Sequence, residues 1–153
     1  MKRIILSVAA MLLAIAEAQA ACTVSTSGVA FGAFNPLPGL SSNTTGTIAV
    51  TCSGLLITFN YTITIATSHG SFAARKMVSG TDNLIYNLYT DSAFTHVWGD
   101  GTASTSTVSD SISFVLPGSV TRNYVVYGQI ASGQNTAKAH PSYADTPVVT
   151  ITY

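Results

Sequence analysis

The cysteines are the first residues whose type and number suggest chemistry. Cys22 and Cys52 are the only two in the chain. In an exported protein an isolated pair most simply forms one disulfide. Closing a loop of about 31 residues would stabilise the fold by roughly 3–4 kcal/mol. A free thiol and a metal pair are the alternatives, but no histidine or second cysteine stands at ligand spacing from either one. The sequence therefore predicts a Cys22–Cys52 disulfide.

The histidines give little support to catalysis. His69, His96 and His140 are the only ones, and each lies in a turn-like context without an HxH or HExxH pattern. A spatial Ser/His/Asp triad stays open, since serine is abundant and five aspartates follow residue 20. No G-x-S-x-G motif is present, and no glutamate follows residue 20. We predict surface histidines, no enzymatic activity, no metal site and no cofactor. Asp100 alone, in a Gly-Asp-Gly turn, does not make a calcium loop.

The N-terminus has the pattern of a secretory signal peptide. Two basic residues precede an apolar run at 4–16, and an Ala-Gln-Ala pattern ends at Ala20. Such a pattern predicts a signal peptide at 1–20, cleaved between Ala20 and Ala21. A membrane anchor is the alternative, but the apolar run is too short to span a bilayer. The remainder, 21–153, has a length typical of one domain with one core.

The composition limits the classes of partner. Charged residues make up 8% of the chain and hydrophobic ones 47%. Loss of Lys2, Arg3 and Glu17 with the signal peptide leaves four basic and five acidic residues. So few scattered cations predict neither nucleic acid binding nor attachment to an anionic membrane. We also expect no stable membrane insertion. A surface with so little charge is poorly protected against association, which suggests that association is part of its function.

The rest of the chain has the two-residue period of β-strands. The clearest alternation covers 57–65, and others lie at 47–52, 84–88, 112–116, 124–130 and 148–153. Turn pairs such as Ser79-Gly80 and Ser132-Gly133 separate them, and the Ser/Thr-rich stretch 101–111 suggests a long loop or strand connection. Gly128 falls in an inward-facing series, where we expect a bulge or a close contact. The pattern predicts an all-β, antiparallel, immunoglobulin-like Greek-key sandwich.

Several motifs resemble a known family. The segments ACTVSTSGVAFGAFNPL, TGTIAVTC, LIYNLYTD with VWGDG, and the closing YGQI and DTPVVTITY are similar to the spore coat protein U domain. That family includes pilins of archaic, Csu-type chaperone–usher pili of Gram-negative bacteria, and the resemblance covers essentially all of 21–153. It implies an incomplete sandwich that lacks its final strand and is completed by a donated strand. The implied partners are a periplasmic chaperone, an outer-membrane usher and other pilus subunits.

The resemblance also assigns a role to the last strand. DTPVVTITY would border a hydrophobic groove, with Val149, Ile151 and Tyr153 as its floor, and its open edge would accept the donated strand. The implied route is export through the periplasm to the cell surface, in a pilus or as a secreted protein. The implied function is structural, in surface adhesion and biofilm formation.

The rank of the subunit is a separate expectation. Cys22 is only the second residue after the predicted cleavage site, which leaves no visible N-terminal donor segment. We therefore expect a minor or tip subunit rather than a main shaft subunit. The alternatives are a self-contained secreted β-sandwich binding module, for instance for a carbohydrate, and a spore-coat-type structural protein. A secreted hydrolase is a more distant alternative.

Overall fold

Antiparallel strands form the regular structure of the chain. The computed structural model describes residues 21–34, 40–54, 58–114, 117–134, 137–138 and 142–153. The predicted signal peptide at 1–20, with Ala20, lies outside these residues, as do Ile57, Leu116 and His140. The strands are β1 (Ala21–Ser27), β2 (Ser42–Gly54), β3 (Thr58–Ile65), β4 (Gly70–Ser71), β5 (Ala74–Ser79), β6 (Asp82–Tyr89), β7 (Val108–Ser113), β8 (Gly118–Ile130) and β9 (Val149–Thr152).

The strands form two sheets that enclose one core. The larger sheet has the order β1-β2-β8-β6-β5-β4, and the smaller has the order β7-β3-β9. Every pair of neighbouring strands is antiparallel. The described residues contain no helix. The predicted all-β, immunoglobulin-like sandwich is therefore confirmed.

Alternation along each strand decides which side chains reach the core. In β2, Ile48, Val50 and Cys52 are buried, while Thr47 and Thr51 lie on the outer face. The same alternation buries three residues of β3 and three of β6: Tyr61, Ile63, Ile65, Leu84, Tyr86 and Leu88. Side chains at i and i+2 share a face of a strand, so these runs give each sheet one apolar face.

The turns follow the predicted turn chemistry in part. Gly80 lies in the two-residue loop between β5 and β6 with a φ of 60°, a left-handed conformation that glycine adopts without strain. The stretch 101–111 is divided, because β7 begins at Val108. Its first part is the predicted loop, and its last part is a strand.

A disulfide joins the first two strands. Cys22 and Cys52 are bonded, as predicted, and they are directly opposite each other in the β1–β2 ladder. Cys52 is completely buried. The bond therefore attaches the edge strand β1 covalently to the core strand β2.

A buried cation holds the two sheets together. Arg75 on β5 is 0% exposed, although arginine is rarely buried completely. Its Nη1 donates to the carbonyl of Ala66 at 2.6 Å, and its Nη2 donates to those of Ile65 at 3.0 Å and Trp98 at 2.9 Å. Its guanidinium carbon lies 5.4 Å from the centroid of the Phe72 ring. Arg75 thus ties the larger sheet to the end of β3, in the smaller one.

We predict that Arg75→Met will lower the free energy of unfolding by about 2–4 kcal/mol, because it leaves carbonyl oxygens in the core without their donor. Urea denaturation of the purified protein, refolded with its disulfide intact, would measure the change. Arg122→Met is the matched control, since Arg122 is exposed on β8. Equal effects of the two substitutions would contradict the role given to Arg75.

Candidate functional site

The sandwich is open along one side. β9 lies at the edge of the smaller sheet, where it pairs with β3 from Thr62↔Thr152 to Ile65↔Val149. β1 lies at the edge of the larger sheet and faces β9 across the gap between the sheets. Within the described part of the chain, no strand pairs with the second edge of β9. Among the described strands, the gap therefore leaves one edge of β9 unpaired beside the core.

An apolar groove runs between the sheets at this opening. Its first part is a cavity of about 460 Å³. The larger sheet contributes one wall through β2, β5, β6 and β8, and the smaller sheet contributes β3 and β9. The principal apolar residues that line this cavity are Ile48, Ile65, Met77, Leu88, Val126 and Val149.

A second cavity continues the first. It has a volume of about 580 Å³ and shares Val29, Phe31, Met77 and Tyr143 with its neighbour. Because the two cavities share these side chains, they form one continuous depression, which we call the groove. Its lining is largely apolar, with Asp145 in the first part and Lys138 in the second.

The segment that follows β1 forms one lip of the groove. Val29 and Phe31 pack against the core, and the Phe31 ring meets the Tyr86 ring edge-on at 6.0 Å between centroids. A Cβ atom on Gly128 would lie 2.4 Å from Val29 Cγ1 and 2.9 Å from Phe31 Cζ. The close contact predicted at Gly128 is therefore confirmed, and it gives this lip the space to reach the core.

A buried carboxylate closes one end of the groove. The side chain of Asp145 is 1% exposed, although it is charged. Its Oδ2 accepts a hydrogen bond from the Tyr86 hydroxyl at 2.7 Å, and its Oδ1 accepts one from His69 Nδ1 at 2.8 Å. The Ser68 hydroxyl also donates to Oδ1. Asp145 thereby connects the approach to β9 with β6 and with the turn after β3.

These contacts set the protonation of Asp145. Burial raises the pKa of a carboxyl group, but the hydrogen bonds from His69, Ser68 and Tyr86 outweigh it and hold the pKa below its usual range. Burial and the Asp145 carboxylate raise the pKa of the Tyr86 hydroxyl. Asp145 is therefore ionised at neutral pH, and the Tyr86 hydroxyl keeps the proton that it donates.

Ser68, His69 and Asp145 lie together, but their geometry is not that of a catalytic triad. In a triad the histidine stands between the other two and uses opposite ring nitrogens. Here the Ser68 oxygen lies 3.4 Å from His69 Nδ1, on the side where the ring meets Asp145, and donates to Asp145 itself. His69 therefore does not stand between Ser68 and Asp145 as the histidine of a triad does. We call the three side chains the clamp, because they join the turn after β3 to the segment that leads into β9.

The chain crosses from one sheet to the other beside this clamp. The amide of Val78 on β5 donates to the carbonyl of Ala144 at 2.8 Å, and Ala144 donates back at 3.1 Å. Val148 lies four residues after Ala144, and its carbonyl accepts a hydrogen bond from the amide of Ala66 at 2.9 Å. The segment 144–148 therefore closes the end of the groove and fixes where β9 starts.

The three residues predicted for the groove floor have different positions. Val149 lines the groove, and Ile151 packs against the core opposite Ile63. Tyr153 follows β9 and is 63% exposed. Most of the lining comes from residues that the sequence analysis did not select, among them Val29, Phe31, Met77, Tyr86 and Asp145. The alternation of Val29 and Phe31 in GVAFGAF is the signal that could have identified this lip.

Metal clusters and membrane-spanning helices are absent from the residues that the structure describes. In the described part of the chain, no three side chains of histidine, cysteine, aspartate or glutamate form a cluster that could hold a metal ion. The same residues include no helix that is long and apolar enough to cross a membrane.

The chain is similar to a known protein family. The sequence profile of the Spore Coat Protein U domain matches residues 8–151. No curated protein is significantly similar to the chain.

We predict a pH-dependent effect of Asp145→Asn. The folded-state pKa of Asp145 lies below the unfolded value of about 3.9, so its carboxylate stabilises the fold above about pH 4, and this contribution disappears as pH falls through the folded value. At pH 7 the substitution should lower the free energy of unfolding by about 1–3 kcal/mol. Below pH 4 the difference from the wild type should shrink.

Chemical denaturation between pH 3 and pH 7 would measure this difference. Asp100→Asn is the control, because the exposed Asp100 side chain bonds only within its own turn, to Thr102. Its effect should be much smaller. A loss of stability in Asp145→Asn that stays constant across the pH range would contradict the assignment.

We also predict that Gly128→Ala will displace the lip formed by Val29 and Phe31. The new methyl group would overlap Val29 Cγ1, and overpacking of this kind costs about 1–3 kcal/mol. Gly28→Ala is the matched control, since a Cβ there has no atom within 4 Å. Thermal melting of both variants would test this, and equal melting temperatures would be the contrary result.

Proposed function

The chain belongs to the Spore Coat Protein U domain family, and on that premise we propose that it is a subunit of an archaic chaperone–usher pilus, assembled by β-strand addition at the groove. The family comprises structural domains of the cell exterior, so the chain is a structural protein of the pilus or coat type. The disulfide fits an exported protein, because such bonds persist in oxidising compartments.

One observation carries the proposal: an apolar groove lies beside a strand edge that has no partner strand in the described part of the chain. An open edge next to exposed apolar side chains promotes aggregation unless another segment covers it. A strand laid against β9 would bond to its free backbone groups and place alternate side chains in the groove. The same segment would therefore pair with the backbone groups on the edge of β9 and fill the groove.

The lining predicts the chemistry of the donated strand. Side chains such as Ile48, Leu88, Val126 and Val149 favour an apolar residue at every second position. Outward positions would be polar, because they meet solvent. Asp145 is 1% exposed and already accepts hydrogen bonds from Tyr86, His69, Ser68 and the Thr146 amide, so the clamp does not require a basic residue at that end.

The proposed sequence of partners follows from this site. A periplasmic chaperone would lend the first strand, and another pilus subunit would replace it at the outer-membrane usher. The subunit would then be displayed on the cell surface, where we propose a role in adhesion and biofilm formation.

We predict that the chain, exported to a periplasm alone, will be insoluble or degraded. Co-export with the chaperone should yield a soluble one-to-one complex with greatly slowed unfolding, since the donated strand must leave as a unit. Size-exclusion chromatography and thermal melting would measure both outcomes.

Two neighbouring valines give a matched control. Val149→Asp would place a charge in the groove and should abolish the complex, while Val148→Asp should preserve it because Val148 is 62% exposed. A soluble monomer that melts cooperatively without a partner would overturn the proposal and favour a self-contained binding module.

A further inference from the structure

The outer face of the larger sheet carries a second set of residues that the groove does not use. Alternation along β2, β6 and β8 sends every second side chain away from the core. Where these three strands pair, the outward residues form two rows across the sheet. This face lies on the opposite side of the sheet from the groove.

The first row consists of amides. Asn43 on β2 pairs in register with Gln129 on β8, and Gln129 pairs with Asn87 on β6. Gln129 Nε2 donates to Asn43 Oδ1 at 3.1 Å, so these two amides are oriented by each other. Asn87 is 7% exposed and donates to the carbonyl of Phe72 at 2.8 Å. It therefore borders the row but is too buried to contact a ligand.

The second row is aromatic. Two residues further along β2, Thr45 pairs with Tyr127 on β8, and Tyr127 pairs with Tyr89 on β6. Tyr127 and Tyr89 are each half-buried, and Thr45 is exposed. Side chains directly opposite on one face have Cβ atoms about 5 Å apart, so the two tyrosines lie side by side next to the amides.

A strained residue adds a third aromatic ring to this face. Phe94 has a φ of 58°, a conformation that is an outlier for a bulky side chain. Its ring meets the Tyr89 ring edge-on at 5.5 Å between centroids. The turn that imposes this conformation is held by Asp91, whose carboxylate accepts hydrogen bonds from Thr95 and from the amide of His96 at 2.8 Å. Backbone strain of this kind is concentrated at ligand-binding sites.

The chemical character of these residues selects one class of ligand. We define the aromatic–amide patch as Asn43, Thr45, Tyr89, Phe94, Tyr127 and Gln129. None of the six carries a charge, and the Asp91 carboxylate beside Phe94 is engaged by Thr95 and the His96 amide, so a charged polymer would find no free counterion among these residues. A sugar ring has a C–H face that packs on an aromatic ring, and hydroxyl groups that pair with amides, which both donate and accept. We propose that the aromatic–amide patch binds an uncharged polysaccharide.

This inference does not depend on strand addition, because the patch and the groove lie on opposite faces of the larger sheet. A single copy of the chain would bind a polysaccharide only weakly through so shallow a site. If the subunit is repeated or clustered on a surface, linked sites would raise the overall affinity without any new contact.

The test is affinity electrophoresis of the exported full-length chain, in complex with its strand donor if it needs one. The native gels contain soluble hydroxyethylcellulose, mannan, galactomannan or xylan, and dextran sulfate serves as the charged comparison. We expect at least one neutral glycan to retard the chain and dextran sulfate to have no effect. Tyr127→Leu, which keeps an apolar cross-strand contact, should weaken the binding at least fivefold, and Gln129→Ala at least threefold.

Thr121→Ala is the control, since Thr121 is an outward residue on the same strand six positions from Tyr127. It should bind as the wild type does, and unchanged melting of every variant would show that the fold is intact. Absence of retardation by all four neutral glycans would overturn the proposal. So would equal binding by Tyr127→Leu and the wild type, or retardation by dextran sulfate alone.

Discussion

Water that enters the gap between β1 and β9 meets the same apolar side chains that hold the two sheets together. Burial of one such side chain stabilises a fold by about 1.5–3 kcal/mol, so an open groove weakens the core from within. The edge of β9 adds a second constraint, because its backbone groups beside the groove also need partners. A strand laid in the gap would cover the apolar side chains and pair with the backbone groups of β9 at the same time. An added strand is therefore a suitable ligand.

The polar contacts keep the frame in place while the groove is open. Arg75 ties the end of β3 to the larger sheet, and Asp145 ties the approach to β9 to Tyr86. Both side chains are buried, so solvent that reaches the groove does not compete directly for their hydrogen bonds. The start of β9 is therefore positioned by contacts at the closed end of the groove. A frame of this kind would leave the edge of β9 preorganised for the proposed strand, which lowers the entropic cost of binding.

The fold was largely predictable because a sheet buried on one face imposes a two-residue period. That period identified β2, β3 and β6, and it placed Cys52, Val149 and Ile151 on apolar faces. The site was less predictable, because its polar contacts join residues far apart in the chain: Asp145 meets His69 across 76 positions. Arg75 and Met77 share the inward face of β5. A cation in such a series would ordinarily be predicted to be exposed, because arginine is rarely buried completely. The rows around Tyr127 depend on register, and alternation within one strand does not specify register between strands.

The disulfide gives the molecule a defined response to mechanical load. Tension applied at the N-terminal end of β1 reaches Cys22 after one residue and passes through the covalent bond into β2, which lies inside the larger sheet. The backbone between the two cysteines, 30 positions long, is thereby bypassed as a covalent load path. Reduction of the bond would bring this backbone into the load path and release a contour length on the order of 100 Å. The oxidised protein is therefore a stiff link, and its extensibility depends on the redox state of its surroundings.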